Sequence, residues 1–276
     1  MPYLLKTALL ATLAIGLPTA GTADGMTTLA IPQYVQITWD ASVLEEFRQP
    51  IMFGYPGEEW DIPPPTNVTI FAGCSVAEAA TAFAEIPSKV QAMFPPNVNI
   101  IVVGPETTVP QPHKTVVIQT DQYVDPATGA KSRALGRTPN EHCHQRNDSP
   151  WGTAYVYDGM IRESITNAFL NFYVQIDGEI DPTDDWRHVP LPFSASLLTD
   201  YIAQEALHEC CHAMGLVPTS SAAHNGHNVC TCGRHHMDRG REKKVLMRLG
   251  FVTPSHIPSW MPKNERYLEF VTSLPK

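Results

Sequence analysis

Residues 206–217 of this 276-residue chain read ALHECCHAMGLV and contain the pattern H-E-x-x-H. Two residues four positions apart on an α-helix lie on the same face, so His208 and His212 can direct both imidazoles at one point. Glu209 follows the first histidine and lies beside that point. Catalytic zinc sites use such imidazoles as ligands and a nearby carboxylate as general base. The pattern therefore predicts a helix that binds Zn²⁺ through His208 and His212, with Glu209 in the catalytic role.

The sequence around this pattern has the signals of a long helix. The segment SASLLTDYIAQEALHECCHAM, residues 194–214, opens with a serine that can cap a helix and contains no proline or glycine. Gly215 follows, and glycine favours the left-handed conformation that commonly ends a helix. We therefore predict a helix from Ser194 to Met214, with a sharp turn at Gly215 that directs the chain back toward the metal.

The stretches HECCHAMG and HNGHNVCTCGRHHMD together resemble a metzincin metallopeptidase. The second stretch is similar to the adamalysin-type arrangement, in which a histidine ligand precedes a C-x-C-G segment and a methionine. It is also similar to archaemetzincin-like proteins, which place cysteines between the ligand and the Met-turn. The resemblance covers residues 208–238. It implies an α+β, zincin-like catalytic domain with a mixed sheet, an active-site helix, a Met-turn and a C-terminal helix.

The same resemblance implies a third zinc ligand three residues after the glycine, but Pro218 holds that position and cannot bind a metal. An elongated loop, which costs little entropy, would bring His224 or His227 to the metal instead. We favour His224 and keep His227 as the alternative. Met237 is the expected Met-turn residue, a hydrophobic floor beneath the metal, and Met247 is its alternative.

Other side chains with metal-binding chemistry have simpler interpretations. His142 and His144 could bind a second metal, but we favour loop histidines on either side of Cys143. Glu265 would be the ligand if the chain were a gluzincin, an interpretation that the histidine-rich loop disfavours. Cys211 adjoins His212 on the helix and its side chain points about 100° away, so a disulfide is a better interpretation than a metal ligand.

The N-terminus has the parts of a secretory signal peptide. Lys6 precedes an apolar run from Thr7 to Pro18, and small residues follow, with Gly21-Thr22-Ala23 as a cleavage site. The run is too short to serve as a membrane anchor. We therefore expect residues 1–23 to be removed and the protein to be secreted, into the extracellular space or the periplasm, without a membrane span in the mature chain.

Six cysteines fit an oxidising compartment. Either Cys210 or Cys211 could pair with Cys230 or Cys232 and fasten the downstream loop to the helix. Cys74 and Cys143 would then form the remaining pair. The spacing alone leaves the connectivity open.

Composition narrows the choice of partners. The formal net charge of −9 disfavours nucleic acid, whose phosphates attract basic surfaces. The apolar fraction of 43% supports a large core, and we expect residues 24–276 to form a single domain.

Hydrophobic patterning predicts the remaining elements. Strands are expected within 31–40, 68–73, 98–104, 114–121 and 151–159, the last of them a candidate edge strand. Residues 75–94 should form a helix interrupted near Pro87, and the polar segment 122–150 should form a long loop. Residues 165–177 fit a strand or a helix that continues into a strand, and residues 264–276 fit a closing helix.

These patterns together predict a secreted zinc-dependent endopeptidase that hydrolyses peptide bonds through Glu209-assisted attack of a zinc-bound water. Its expected partner is a peptide or protein substrate. One alternative is a non-catalytic zinc-binding protein on a zincin scaffold, although a structural zinc site has no use for Glu209. Another is a metalloenzyme that acts on a different amide, such as one in cell-wall material.

Overall fold

A computed structural model describes residues 32–54, 67–122, 124–132, 134–139, 142–143, 147, 149–175, 192–216, 235–238 and 258–273 of the chain. The strands, in chain order, are β1 (Gln33–Thr38), β2 (Ile51–Gly54), β3 (Asn67–Phe71), β4 (Ile100–Val103), β5 (Lys114–Gln119), β6 (Gly136–Arg137) and β7 (Gly152–Tyr157). The helices are α1 (Ala41–Phe47), α2 (Val76–Ala84), α3 (Ile86–Met93), α4 (Asp158–Gln175), α5 (Ala195–Ala213) and α6 (Pro262–Ser273).

Five of the strands form one mixed sheet in the order β4-β1-β5-β7-β6. Strands β4, β1, β5 and β7 run parallel, whereas β6 pairs antiparallel with β7 at one margin. Strands β2 and β3 form a separate antiparallel pair. The described chain is therefore mixed α+β with a mostly parallel sheet, which agrees with the α+β class predicted from the sequence.

Most of the predicted elements are present. Strands β1, β3, β4, β5 and β7 lie within or overlap the predicted segments. The helix expected over 75–94 is divided at Glu85, and Pro87 occupies the first turn of α3, where its missing N–H has no consequence. Ser75 begins α2 with a capping box completed by Glu78.

Two predictions along this part of the chain have different outcomes. Of the alternatives predicted for residues 165–177, a strand or a helix that continues into a strand, the structure has the helix over residues 165–175, within α4, which begins at Asp158 immediately after β7. Strand β7 is not an edge strand, because β5 and β6 pair with its two sides. The margin of the sheet on this side is the two-residue strand β6, within a segment that the sequence indicated only as a polar loop.

At the opposite edge of the sheet, the side chain of Gln91 forms hydrogen bonds with the backbone of β4. The amide of Gln91, on α3, donates to the carbonyl of Ile100 at 3.3 Å and accepts from the N–H of Val102 at 2.8 Å. Both groups belong to β4, the outermost strand on that side. The side chain therefore satisfies backbone groups that a neighbouring strand would otherwise pair with.

The core lies between one face of the sheet and the helices. Buried and partly exposed residues alternate along β1 and β5, as expected for strands with one buried face. Helix α5 packs against β7, β5 and α3 and contributes Leu198, Ile202 and Leu207 to the core. No helix in the described part of the chain has the length and apolar character needed to cross a bilayer.

Candidate metal centre

Helix α5 carries the H-E-x-x-H residues and matches the predicted helix to within one residue at each end. Ser194 caps it, with its side-chain oxygen accepting the N–H of Leu197 at 3.2 Å. The helix is buried over most of its length, which includes His208 and Glu209. The pattern that suggested a ligand pair therefore lies on a rigid, packed element rather than on a loop.

The C-terminal end of α5 forms a Schellman motif. Gly215 has a φ of 77°, the left-handed conformation that the sequence predicted for it. Its N–H donates to the carbonyl of His212 at 2.9 Å, and the N–H of Leu216 donates to that of Cys211, also at 2.9 Å. These bonds satisfy the last carbonyls of the helix and turn the chain immediately after His212.

The two histidines face each other across one turn of α5. Their Nε2 atoms lie 3.1 Å apart, and their rings are nearly perpendicular with centroids 4.7 Å apart. Two nitrogens bound tetrahedrally to one zinc at 2.0–2.1 Å would lie about 3.3 Å apart. The spacing of the two nitrogens therefore suits a shared zinc ion.

A hydrogen bond to the backbone fixes the tautomer of His208. Its Nδ1 lies 2.6 Å from the carbonyl oxygen of His236. A carbonyl can only accept, so Nδ1 carries the proton and Nε2 keeps its lone pair toward His212. Metal-binding histidines commonly donate their second nitrogen in this way. His208 is only 2% exposed, so little water competes for the bond.

The carbonyl of His236 belongs to a tight turn at residues 235–238. The N–H of Asp238 donates to the carbonyl of His235 at 3.0 Å, and the carboxylate of Asp238 accepts the N–H of His235 at 3.1 Å. The next residue after His236 is Met237, which is fully buried in the core. The residue predicted for the Met-turn therefore follows directly after the group that orients His208, whereas Met247 lies outside the described residues.

Glu209 lies against strand β6 and the residue that follows it. The hydroxyl of Thr138 is 2.8 Å from Glu209 Oε2 and 2.7 Å from the Glu209 carbonyl oxygen. The backbone of Gly136 approaches so closely that a Cβ there would lie 2.5 Å from Glu209 Cγ. The sequence did not indicate these contacts, because residues 136–138 are 71 or more positions away in a segment interpreted as a loop.

His224 and His227, the two predicted candidates for the third ligand, lie outside the described residues. Among the described residues, which include Glu265, no three His, Cys, Asp or Glu side chains are arranged to hold one metal ion. His142 holds the backbone of β7, with its Nδ1 3.0 Å from the carbonyl and 3.2 Å from the nitrogen of Thr153. This agrees with a structural role for His142, while His144 is outside the described residues.

The cysteines next to the motif are buried thiols. Burial raises the pKa of Cys210 to about 12 and that of Cys211 well above its usual value, so both are neutral. Cys74, Cys210 and Cys211 are free thiols, whereas Cys230 and Cys232 lie outside the described residues. The pairs predicted through Cys74, Cys210 and Cys211 are therefore not formed in the described structure, and disulfide formation in an oxidising compartment stays a prediction.

Comparisons with protein-family models, with curated proteins and with solved structures find no match to this chain. Any assignment of function therefore depends on the chemistry of His208, Glu209 and His212 and on the groups around them.

Proposed function

We propose that the chain is an exported zinc-dependent endopeptidase of the metzincin type. The observation that carries the proposal is the arrangement of His208. Its Nδ1–H is held by the His236 carbonyl while its Nε2 faces Nε2 of His212 at 3.1 Å. Glu209 lies beside this pair on the same helix. Export is proposed from residues 1–23, which are outside the described residues.

The fold agrees with the resemblance noted in the sequence. A mixed sheet, a buried helix with the two histidines, a turn containing the buried Met237 and a C-terminal helix occur in the implied order. These features support a zincin-like scaffold. They also support Met237 as the floor of the site, because Met237 follows the carbonyl that orients His208.

The donor set fits zinc. His208 and His212 would supply two imidazole nitrogens, and His224 or His227 the third, an arrangement that leaves one position open for reactants. When bound, zinc would polarise the peptide carbonyl and make water acidic enough to attack near neutral pH.

Glu209 would move the proton in the reaction. As general base its carboxylate accepts a proton from the attacking water while the water oxygen bonds to the carbonyl carbon. As general acid it then passes that proton to the amine nitrogen as the C–N bond breaks. The carboxylate is restored at the end, and no covalent bond to the protein is required.

The position of β6 supports a peptide as the substrate. This short strand forms one margin of the sheet and contacts Glu209 through Gly136. An extended peptide that pairs with a sheet margin gains backbone hydrogen bonds independent of its sequence. Pairing along β6 would bring a peptide carbonyl next to Glu209.

The decisive experiment compares Glu209→Gln with the wild-type protein. We expect the purified wild type to contain one zinc per chain and to cleave members of a peptide library. E209Q should keep the zinc and lose cleavage by at least about 10²-fold, because the amide cannot accept the proton. Glu163→Gln, an exposed carboxylate on α4, is the matched control and should keep full activity.

Two outcomes would contradict the proposal. Cleavage that survives in E209Q would remove Glu209 from the mechanism. A zinc-loaded wild type that cleaves no peptide would favour a zinc-binding protein without peptidase activity, or an enzyme that acts on a different amide.

A further inference from the structure

Strand β6 and Thr138 hold the side chain of Glu209 at two points. Residues 136 and 138 are two positions apart, so in an extended chain they present the same face. Gly136 leaves no space for a Cβ, which would lie 2.5 Å from Glu209 Cγ and 3.0 Å from Glu209 Cδ. Thr138 then contacts the carboxylate beyond these carbons. The strand therefore limits both where the side chain lies and how its carboxylate is turned.

The hydroxyl of Thr138 is a donor in this contact. It has one hydrogen and lies within 2.8 Å of two acceptors, Oε2 and the carbonyl oxygen of Glu209. The carbonyl belongs to helix α5, where regular helix geometry pairs it with the N–H four residues later. The hydroxyl can donate its single hydrogen to only one acceptor at a time, and the carbonyl already has the helical N–H as a donor. Oε2 is thus the acceptor that gains from the Thr138 hydroxyl.

We propose, on the basis of the peptidase function proposed above, that Thr138 is a positioning residue for Glu209. Its hydroxyl fixes the plane of the carboxylate so that the carboxylate meets water and the leaving amine in one orientation. Glu209 is only 5% exposed, so bulk water does not readily substitute for this donor. Thr138 itself does not contact the reacting atoms.

The test uses the full-length, zinc-loaded protein with Thr138→Val, which keeps the shape and removes the donor, and Thr138→Ser, which keeps the donor. We expect T138V to lower kcat by about ten-fold to a hundred-fold, with KM and zinc stoichiometry unchanged. T138S should recover most of kcat. Thr166→Val is the matched control, because the Thr166 hydroxyl donates to the carbonyl of Arg162 within helix α4, outside the site.

A second measurement does not depend on activity. The second measurement compares crystal structures of the zinc-loaded wild type, T138V and T138S. The Glu209 carboxylate should be turned away from its wild-type orientation in T138V and should keep that orientation in T138S. If T138V does not fold, Thr138→Ala replaces it in both measurements.

The two measurements distinguish failure of this inference from failure of the proposed function. Wild-type kcat in T138V, or an unmoved carboxylate, would overturn the positioning role even if E209Q is inactive. Equal losses in T138S and T138V, or loss of zinc from T138V, would indicate a packing role and would also overturn it. A displaced carboxylate in a protein that cleaves no peptide would retain the positioning contact and reject the peptidase.

Discussion

The ammonium of Lys114 lies 2.9 Å from the carbonyl oxygen of Ala213, the last residue of helix α5. The same ammonium donates to the carbonyls of Ser149 at 3.0 Å and Trp151 at 3.4 Å. Lys114 is 1% exposed, so these carbonyls replace water around the charge. A cation at the C-terminal end of a helix is also favoured by the helix dipole. Lys114 therefore links the turn that carries His212 to strand β5 and to the chain that enters β7.

Lys114→Met should destabilise the protein without removing any predicted zinc ligand. The variant removes the ammonium that donates to the carbonyl of Ala213 in a buried contact, and a buried carbonyl that loses its donor costs about 1–3 kcal/mol. It also removes the part-buried contacts to the carbonyls of Ser149 and Trp151. We expect the free energy of unfolding in urea to fall by at least about 2 kcal/mol. Lys131→Met changes an exposed lysine and should stay within about 0.5 kcal/mol of wild type. Equal stability of K114M and K131M would contradict the anchoring role.

Asp158 should make stability depend on pH. Burial raises the pKa of Asp158 to about 7. The positive charge of Arg162 lowers this pKa, and the negative charge of Glu46 raises it. Because the folded state favours the protonated carboxyl, its stabilising contribution is complete below pH about 4 and is lost as pH rises through about 7. We expect the free energy of unfolding of the wild-type protein to fall by up to about 4 kcal/mol between pH 4 and pH 8 because Asp158 ionises.

Urea unfolding at several values of pH checks this expectation. Asp158→Asn should remove most of the loss. Asp125→Asn is the control, because hydrogen bonding from the N–H of Ala127 lowers the pKa of Asp125 and keeps it ionised over this range. A D158N protein with the wild-type dependence on pH would contradict the assignment.

Gly136→Ala should impair catalysis more than it impairs zinc binding. The added methyl group would lie 2.5 Å from Glu209 Cγ and 2.8 Å from the carbonyl oxygen of Tyr155, so either Glu209 or β6 must move. Displacement of a catalytic group by about 1 Å can cost about 10²-fold in rate. We expect that loss in kcat/KM, with the zinc content retained.

Gly104→Ala is the steric control for this substitution. A Cβ at position 104 meets only Pro87 Cγ at 3.5 Å, an ordinary contact, so kcat/KM should be unchanged. Wild-type kcat/KM in G136A would show that the approach of β6 to Glu209 is not restrictive.

Zinc should stabilise the folded chain through the H-E-x-x-H pair. A ligand present at a hundred times its Kd stabilises the folded state by about 2.7 kcal/mol. We therefore expect a chelator to lower Tm and added zinc to restore it. His212→Ala should abolish the response, whereas His113→Ala, at the start of β5, should preserve it. A response to zinc that persists in H212A would place the metal elsewhere.

The same measurement can identify the third ligand. His224→Ala and His227→Ala should differ sharply, with the ligand variant losing most of its zinc affinity and the other variant retaining it. We expect the larger loss in H224A. Equal, small losses in both variants would exclude these two residues as the third ligand.

The sequence was most informative where a pattern is local. Runs of apolar and β-branched residues predicted β1 and β5, and Ser194 with Gly215 predicted the limits of α5. Each of these signals depends on residues a few positions apart. The pairing of His208 with His212 is of the same kind, because one turn of helix fixes their relation.

The surroundings of the site depend on contacts between distant residues, which leave no local pattern. The acceptor for His208 is a backbone carbonyl 28 positions away, and every residue type carries that group. Gly136 lies on a strand of two residues, too short for a periodic signal, and Thr138 follows that strand; both contact Glu209. The sequence left strand and helix open for residues 165–177, because aromatic and β-branched residues favour strands, and the tertiary context decides for helix α4 over residues 165–175.

The contact of Gln91 with β4 protects one edge of the five-stranded sheet from pairing with another chain. An exposed strand edge is a template for any extended chain, including another copy of the same protein. The glutamine amide blocks that template at Ile100 and Val102, on the margin remote from Glu209. Under the proposed function, an extended peptide would pair at the other edge, along β6 and next to Glu209, and pairing there would lead to cleavage rather than aggregation.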